Sequence, residues 1–200
     1  GRGRELDSGS GPKAIWTPWG SLESVLRFSD ESDAVFKQAM ARNISLILSS
    51  SCESNKSARY PHPPQSTVMF FAKKTPDVSI LYYVERIIQY FECSKSVFYV
   101  ALVYLERAGR AEPSLRLNLL NVHRLFLTAM VLSAKFCEDE CYTNQHYAMV
   151  GGVGLNEMNT LELALLQVMQ FKLHVPHQEY QRVERTLGHD VDIRTSRRDR

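Results

Sequence analysis

The sequence predicts an all-α domain, and three features support this prediction. Apolar residues recur at three- and four-residue spacing in one segment after another. Glycine, proline and capping residues separate these segments by short connections. No segment shows a convincing alternation of apolar and polar residues, as a strand would. With 200 residues, of which 44% are hydrophobic and 23% charged, the chain can form one core of ordinary composition.

The first predicted element is a leading helix over residues 30–50. Asp30, Ser32 or Asp33 could cap it, and its apolar residues recur at helical spacing. Residues 1–29 start with a stretch rich in Gly, Ser and charge and are expected to be mostly flexible. Residues 51–66 contain too many turn and breaker residues for a helix, so we expect a linker there.

Residues 67–188 are predicted to form the main domain. Its helices are expected in ILYYVERIIQYFE, SKSVFYVALVYLERAG, LNLLNVHRLFLTAMVLSAKF, NQHYAMVGG and NEMNTLELALLQVMQF. The last of these is apolar nearly all the way round, which predicts that Asn156–Phe171 is the central and most buried helix. Pro176 then breaks the chain, and HQEYQRVERTLG predicts a short amphipathic trailing helix. Residues 189–200 are expected to be a flexible tail.

Charge and composition exclude several classes of partner. The formal net charge is only +2, with basic and acidic residues interleaved, whereas a nucleic-acid-binding domain usually carries a basic stripe. No apolar stretch reaches the ~20 residues that a membrane span needs. The four cysteines are too few for a disulfide-stapled secreted domain, and no signal peptide is recognisable. We therefore expect an intracellular protein, in the nucleus or the cytoplasm or both, with no nucleic-acid or membrane partner.

Three candidate chemical sites are weak. Cys137, Cys141 and His146 have a spacing that could suit zinc, but a fourth ligand is not evident nearby. His123 lies in no recognisable nucleophile-and-base setting, so it is better interpreted as a helix residue that hydrogen-bonds a neighbouring loop. The GGVG at 151–154 precedes a helix but matches no phosphate-binding fingerprint, which favours a tight turn between two helices. We expect no metal, no cofactor and no catalysis.

Two isolated charges stand out more clearly. Lys135 is the one charge in the apolar run from Leu125 to Phe136, and Glu162 is the one charge in MNTLELALLQVMQF. They could reach solvent separately or form one internal salt bridge. Alternatively, they could lie on an exposed apolar surface and hydrogen-bond a partner protein.

The order of motifs resembles the cyclin box over roughly residues 67–180. The segments that carry the resemblance are YVERIIQYFECS, ALVYLERAG and NVHRLFLTAMVLSAKFCEDECYTNQHYAMVGGVGLNEMNTLELALLQVMQFKL. They are most similar to the phosphate-pathway, or P/U-type, cyclins. The resemblance implies a bundle of about five helices around a central one, with no catalytic activity of its own. It also implies a partner, a cyclin-dependent protein kinase, which the cyclin holds in its active arrangement.

The resemblance assigns roles to four residues. In the family a lysine that closes the third helix and a glutamate in the fifth grip the kinase together; Lys135 and Glu162 match them. It therefore implies that Lys135 has its partner on another chain. Asp139, and after it Glu138, could present an acid to the kinase in place of an activation-loop phosphate, since a carboxylate accepts a bidentate bond from Arg much as a phosphate does. The alternative is that both acids only solvate a helix end.

The sequence also departs from the family pattern. Glu106 stands where the family more commonly has Asp, and an internal pairing of Glu106 with Arg86 or Arg107 is expected to survive. The docking element Met-Arg-Ala-Ile-Leu of mitotic cyclins is absent, since the aligned residues 76–80 read PDVSI. Too little chain follows Pro176 for a second box.

Two other roles remain open, an enzyme and an adaptor. An enzyme would need a concave site with convergent titratable groups. The cyclin fold also occurs in transcription-factor and pocket-protein adaptors that act without a kinase. Neither the identity of the kinase nor the cell-cycle stage or nutrient signal follows from the sequence.

Overall fold

A computed structural model describes residues 31–56 and 62–195, with side chains over 34–56 and 62–187. These residues contain seven α-helices and two short 3-10 turns and no strand, which confirms the all-α prediction. The helices are α1 (Glu31–Ser54), α2 (Ile80–Phe91), α3 (Lys95–Ala111), α4 (Val122–Cys137), α5 (Asn144–Gly151), α6 (Leu155–Val168) and α7 (His177–Thr195). The 3-10 turns are Val68–Phe70 and Pro113–Leu115. The tertiary contacts below lie within the compact unit Val35–Arg200.

Helix α2 illustrates how local sequence sets an element. Ser79 caps it, because its side chain accepts a hydrogen bond from the backbone N–H of Tyr82. The buried residues recur every three to four positions and make one apolar face: Tyr83, Val84, Ile87, Ile88 and Phe91. The helix ends where Glu92 adopts a left-handed backbone, with φ of 47°. Local capping and periodicity therefore account for this element.

The centre of the bundle is formed by α3 and α4, not by the helix that the sequence pattern favoured. Every residue from Leu125 to Ala134 is buried. By contrast, Leu163 in α6 is 51% exposed and Phe171 beyond its end is 61% exposed. The prediction that Asn156–Phe171 is central and most buried is wrong, because α6 packs on α4 and α5 from one side and leaves its other side open. Its all-round apolar character therefore produces an exposed apolar face.

Helix α1 is longer than expected and packs on the same core. It continues through Ser54, so the predicted linker cannot begin at residue 51. The extra turn forms because Cys52, which is 5% exposed, extends the buried face of the helix. The side-chain amides of Asn43 and Asn55 donate to the backbone oxygens of Leu187 and Leu117. The expected flexibility of residues 1–29 lies outside the described residues.

Helix α7 is also longer than expected. The short trailing helix predicted to end near residue 188 runs to Thr195, and 189–195 are therefore helical. Gly188 is tolerated inside the helix because no proline follows it to break the backbone hydrogen bonds. The rest of the expected tail, 196–200, lies outside the described residues.

Glu106 pairs with neither of the partners expected for it. Its carboxylate accepts from both terminal nitrogens of Arg182 in α7 and from Arg110 one turn further along α3. Arg107 cannot face Glu106, because successive residues of a helix point roughly 100° apart. The predicted Glu106–Arg86 or Glu106–Arg107 pairing is therefore wrong, and Glu106 instead joins α3 to α7.

Arg107 and Arg86 have other structural roles. Arg107 donates to the backbone oxygens of Lys172 and His174, at 2.9 and 3.0 Å, and forms an ion pair with Glu179. It thereby holds the connection between α6 and α7. Arg86 of α2 donates to the backbone oxygen of Met149 in α5, at 3.0 Å.

The turn between α5 and α6 confirms the structural interpretation of the GGVG segment. Gly152 ends α5 in the left-handed conformation, with φ of 70°, which glycine adopts without strain. A Cβ atom on Gly151 would lie 2.2 Å from Leu127 Cδ2, so α5 and α4 approach each other closely here.

None of the described helices is both long and apolar enough to cross a bilayer.

Candidate partner-binding surface

Lys135 and Glu162 form an ion pair between α4 and α6. Lys135 Nζ lies 2.6 Å from Glu162 Oε1, and the side chains are 32% and 16% exposed. Lys135 therefore has a partner, Glu162, in its own chain, which is the internal salt bridge that the sequence left open; a contact of Lys135 with another chain stays a prediction. A lysine ammonium has three N–H donors, so this bond leaves capacity for a second acceptor. Lys135 also lies in the last turn of α4, where the helix dipole favours a cation.

Two asparagines complete the environment of Glu162. Asn144, the first residue of α5, donates through Nδ2 to Glu162 Oε2 at 2.6 Å and to Asn159 Oδ1 at 2.7 Å. Both oxygens of the Glu162 carboxylate are thus bonded within the chain. Asn159 could have been anticipated from the sequence, since it lies three residues before Glu162 on the same side of α6. Asn144 could not, because only the tertiary structure brings the start of α5 to this point.

An exposed apolar residue follows each charge of the ion pair in the sequence. Phe136, next to Lys135, is 49% exposed, and Leu163, next to Glu162, is 51% exposed. Leu155 is 43% exposed and lies on the same side of α6 as Asn159, Glu162 and Leu163, at spacings of four, seven and eight residues. We call these six residues the α4–α6 surface: Lys135, Phe136, Leu155, Asn159, Glu162 and Leu163. An ordered charge pair among exposed apolar groups is typical of the centre of a protein–protein interface.

The two acids after α4 are not equivalent. Glu138 is half-buried, and its Oε1 accepts a hydrogen bond from the backbone N–H of Ser94 at 2.9 Å, so it satisfies a free donor at the start of α3. Asp139 is exposed and bonds no other described side chain. Of the two acids, Asp139 is therefore the one free to meet a partner.

A cavity of about 320 Å³ opens beside the end of α4, against Ala134. Three carboxylates line it, from Glu92, Glu138 and Glu140, and its described lining contains no lysine or arginine. Tyr142 donates its hydroxyl to Glu92 at 2.6 Å. Three carboxylates around one cavity favour a cationic group of a partner over an anionic one at this position.

The candidate zinc ligands are not grouped around a metal site, and His146 makes other contacts. His146 Nε2 bonds the backbone oxygen of Tyr90 at 3.0 Å, and its ring stacks on Tyr142. Within the described part of the chain, no three His, Cys, Asp or Glu side chains are grouped to hold a metal ion. Burial raises the pKa of Cys93 to about 12 and also raises the pKa of Cys137, so both thiols stay protonated near neutral pH.

His123 makes the loop contact that the sequence suggested. Its Nε2 lies 3.0 Å from the backbone oxygen of Val78, in the connection that precedes α2, and its ring meets the edge of Tyr83. Burial lowers the pKa of His123, partly offset by the bond to Val78. The interpretation of His123 as a helix residue bonded to a loop is confirmed.

Comparison with known proteins identifies relatives of one kind. The family model described as Cyclin matches residues 29–173. Cyclin-U4-1 of Arabidopsis thaliana is 42% identical over 133 residues, which is 66% of this chain and 66% of that protein. Cyclin-U4-2 of the same plant is 38% identical over 153 residues, covering 76% of this chain and 71% of that protein. Cyclin-P3-1 of Oryza sativa subsp. japonica is 46% identical over 110 residues, covering 55% and 46% respectively. The chain thus matches only part of the length of each relative.

Proposed function

This chain belongs to the cyclin family, and we propose that it acts as the regulatory subunit of a cyclin-dependent protein kinase. The family model covers most of the chain, including all of α2 to α6. Cyclins are regulatory rather than catalytic proteins, so we assign no reaction to this chain itself. In this proposal the protein works in the nucleus or the cytoplasm, in cell-cycle or nutrient-linked control.

One observation carries the proposal: the Lys135–Glu162 pair is partly exposed, and each of the two charges is followed by an exposed apolar residue. Free N–H groups of the Lys135 ammonium can donate to backbone carbonyls of a partner. Charge-assisted bonds of this kind strengthen when surrounding apolar groups exclude water, and Phe136 and Leu163 would do so once a partner covers them. Such a surface recognises the exposed backbone end of a helix or loop.

The effect on the kinase would be a shift between two conformations. A protein kinase is active when its αC helix is swung inward, so that a lysine and a glutamate pair over the nucleotide. A cyclin that contacts only the inward arrangement supplies differential binding energy and shifts the population toward it. The α4–α6 surface is the part of this chain that we assign to that contact.

We extend the proposal to Asp139. This exposed carboxylate follows α4 two residues after the end of the helix, and in the sequence it lies between Glu138 and Glu140, two of the carboxylates that line the cavity. It could receive the kinase arginines that otherwise bind a phosphorylated activation loop, because a carboxylate offers Arg the same bidentate geometry. The resulting complex would be active without loop phosphorylation.

Co-purification with a panel of cyclin-dependent kinases tests the proposal. We expect at least one kinase to form a stable complex with the chain and to phosphorylate substrate faster in that complex than alone. The test variant is Lys135→Glu, which changes the α4–α6 surface. The matched control is Leu46→Ser, which changes a leucine on α1 that is 63% exposed. Loss of the complex with Lys135→Glu but not with Leu46→Ser supports the proposal. A folded chain that binds none of the kinases would overturn it and favour the adaptor role.

A further inference from the structure

We infer that Asn144 is a positioning residue that locks the Lys135–Glu162 pair in the orientation a partner binds. This inference rests on the proposed function, since it concerns the same surface. Asn144 belongs to α5, whereas the two charges belong to α4 and α6, so one amide connects the pair to a third helix.

The orientation of the Asn144 amide is determined by its neighbours. An ionised carboxylate can only accept hydrogen bonds, so the atom 2.6 Å from Glu162 Oε2 must be the amide nitrogen. Its second N–H then points to Asn159 Oδ1, at 2.7 Å. Both donors of Asn144 are used in this way, and Asn159 keeps the amide from rotating. Glu162 Oε2 is thereby fixed while Oε1 receives Lys135.

The position of Asn144 is itself fixed by the start of α5. Thr143 caps that helix, with its side chain accepting from the backbone N–H of His146. The backbone N–H of Tyr147 bonds the Thr143 oxygen at 3.1 Å. Asn144 therefore projects from an ordered first turn rather than from a mobile loop, which suits a residue that has to orient another side chain.

The contacts of the Asn144 side chain are made by its two donors alone. Asn144 Oδ1 is buried and accepts no hydrogen bond from the described residues. A buried acceptor without a donor destabilises the folded state. The side chain is therefore held in this orientation by its bonds to Glu162 and Asn159, which also orient the carboxylate.

The substitutions Asn144→Leu and Asn144→Asp test the inference, because both remove the two N–H donors and keep the number of side-chain heavy atoms. Leu is uncharged but larger, whereas Asp keeps the volume and adds a carboxylate next to Glu162, so a result common to both variants reports the loss of the donors. The control Asn156→Leu changes an exposed asparagine in the first turn of α6, whose side chain bonds no described residue. Two measurements are made on each variant: the Nζ–Hζ correlation of Lys135 in the NMR spectrum of the free chain, and the Kd for the kinase recovered by co-purification. Thermal unfolding reports whether each variant is folded.

We expect the Lys135 correlation to be visible in the wild type and in Asn156→Leu, and to broaden beyond detection in both Asn144 variants. The Kd should rise about tenfold or more in those variants, which is the loss expected for one charge-assisted bond. Some loss of Tm is expected in Asn144→Leu under either role, because Glu162 Oε2 and Asn159 Oδ1 lose their donor. A merely structural role would lower the Tm and leave the correlation and the Kd per folded molecule unchanged, and that result would overturn the inference.

The two measurements separate this inference from the proposed function. If no kinase binds the wild-type chain, the proposed function fails, while the Lys135 correlation still decides whether Asn144 orders the pair. If a kinase binds and neither the correlation nor the Kd changes in Asn144→Asp, the proposed function stands and Asn144 is not a positioning residue.

Discussion

Lys135 and Glu162 neutralise each other within one chain, with Nζ 2.6 Å from Oε1, and both side chains keep part of their surface exposed. The pair is thus at once an internal salt bridge and a component of the outer surface. Removing one member leaves the other without its partner, so a simple truncation cannot separate the two roles. Exchanging the two charges can separate them.

The double variant Lys135→Glu/Glu162→Lys should keep an internal ion pair, but with the negative charge on α4 and the positive charge on α6. We expect Lys135→Glu alone to weaken kinase binding by on the order of 2–5 kcal/mol, as for a desolvated interface charge. The double variant should regain the Tm of the wild type yet still bind poorly, because the partner meets the wrong sign. Isothermal titration calorimetry and thermal unfolding make the comparison, with the exchange of the exposed pair Lys74 and Asp77 as control. Recovery of binding in the double variant would show that the pair is only structural.

The exposed apolar residues of the α4–α6 surface should matter for binding and not for folding. Leu163→Ser and Phe136→Ser remove side chains that are half exposed in the free chain. Each should weaken the complex by about 1–3 kcal/mol, because apolar side chains near an interface centre contribute most when fully covered. Their Tm values should match that of the wild type. The control Leu46→Ser should match the wild type in both affinity and Tm. Equal loss of affinity in all three variants would argue against a specific surface.

The exposed carboxylate of Asp139 should allow activity without loop phosphorylation. We expect a kinase whose activation-loop phosphoacceptor is replaced by Ala to remain active with the wild-type chain and to lose activity with Asp139→Asn. Glu138→Gln removes the same charge one residue away but keeps an acceptor for the Ser94 N–H, so it should have little effect. Kinase assays with purified complexes give the answer. An absolute requirement for loop phosphorylation would contradict this prediction.

Gly151 should tolerate no larger side chain. Its added Cβ would lie 2.2 and 2.7 Å from the two methyl carbons of Leu127, which is fully buried and cannot move aside. Gly151→Ala should therefore lower the free energy of unfolding by about 1–3 kcal/mol, as overpacking does in other cores. Gly154→Ala is the control, since a Cβ there meets no atom within 4 Å. Urea denaturation would measure the free energy of unfolding of both variants and of the wild type. Equal values for Gly151→Ala and the wild type would refute the close approach of α4 and α5.

The half-buried ring of His123 should make the chain less stable in mild acid. Burial lowers the pKa of His123 below its ordinary value of 6.5, so the native state favours the neutral ring more than the unfolded state does. Below about pH 6.5 the unfolded chain takes up a proton that the native chain refuses, and stability falls with falling pH. Arg124, the cation next to it, also lowers the pKa, whereas the Val78 oxygen raises it.

Unfolding free energies measured from pH 7.5 down to pH 5 should show this loss in the wild type. His123→Gln removes the titrating ring, so the loss should be smaller in that variant. Parallel pH profiles for the two proteins would mean that His123 titrates alike in the folded and unfolded states.

The sequence by itself determined the class of the fold and most of the helices. Apolar periodicity and capping residues are local properties, so the cap at Ser79 and the buried face of α2 follow from the order of the residues. The sequence also singled out Lys135 and Glu162, because a lone charge in an apolar run is conspicuous without any knowledge of its surroundings.

Only the tertiary structure decided what each face meets. An apolar side of a helix can pack on a core or await a partner, and the pattern of α6 is the same in either case; its position beside α4 and α5 left Leu163 exposed. Glu106 pairs with Arg182 because α7, which is distant along the chain, packs against α3. Asn144 bonds Glu162 because α5 packs against α6. Contacts between distant segments depend on how the helices are placed in space, which the spacing of residues within one helix does not encode.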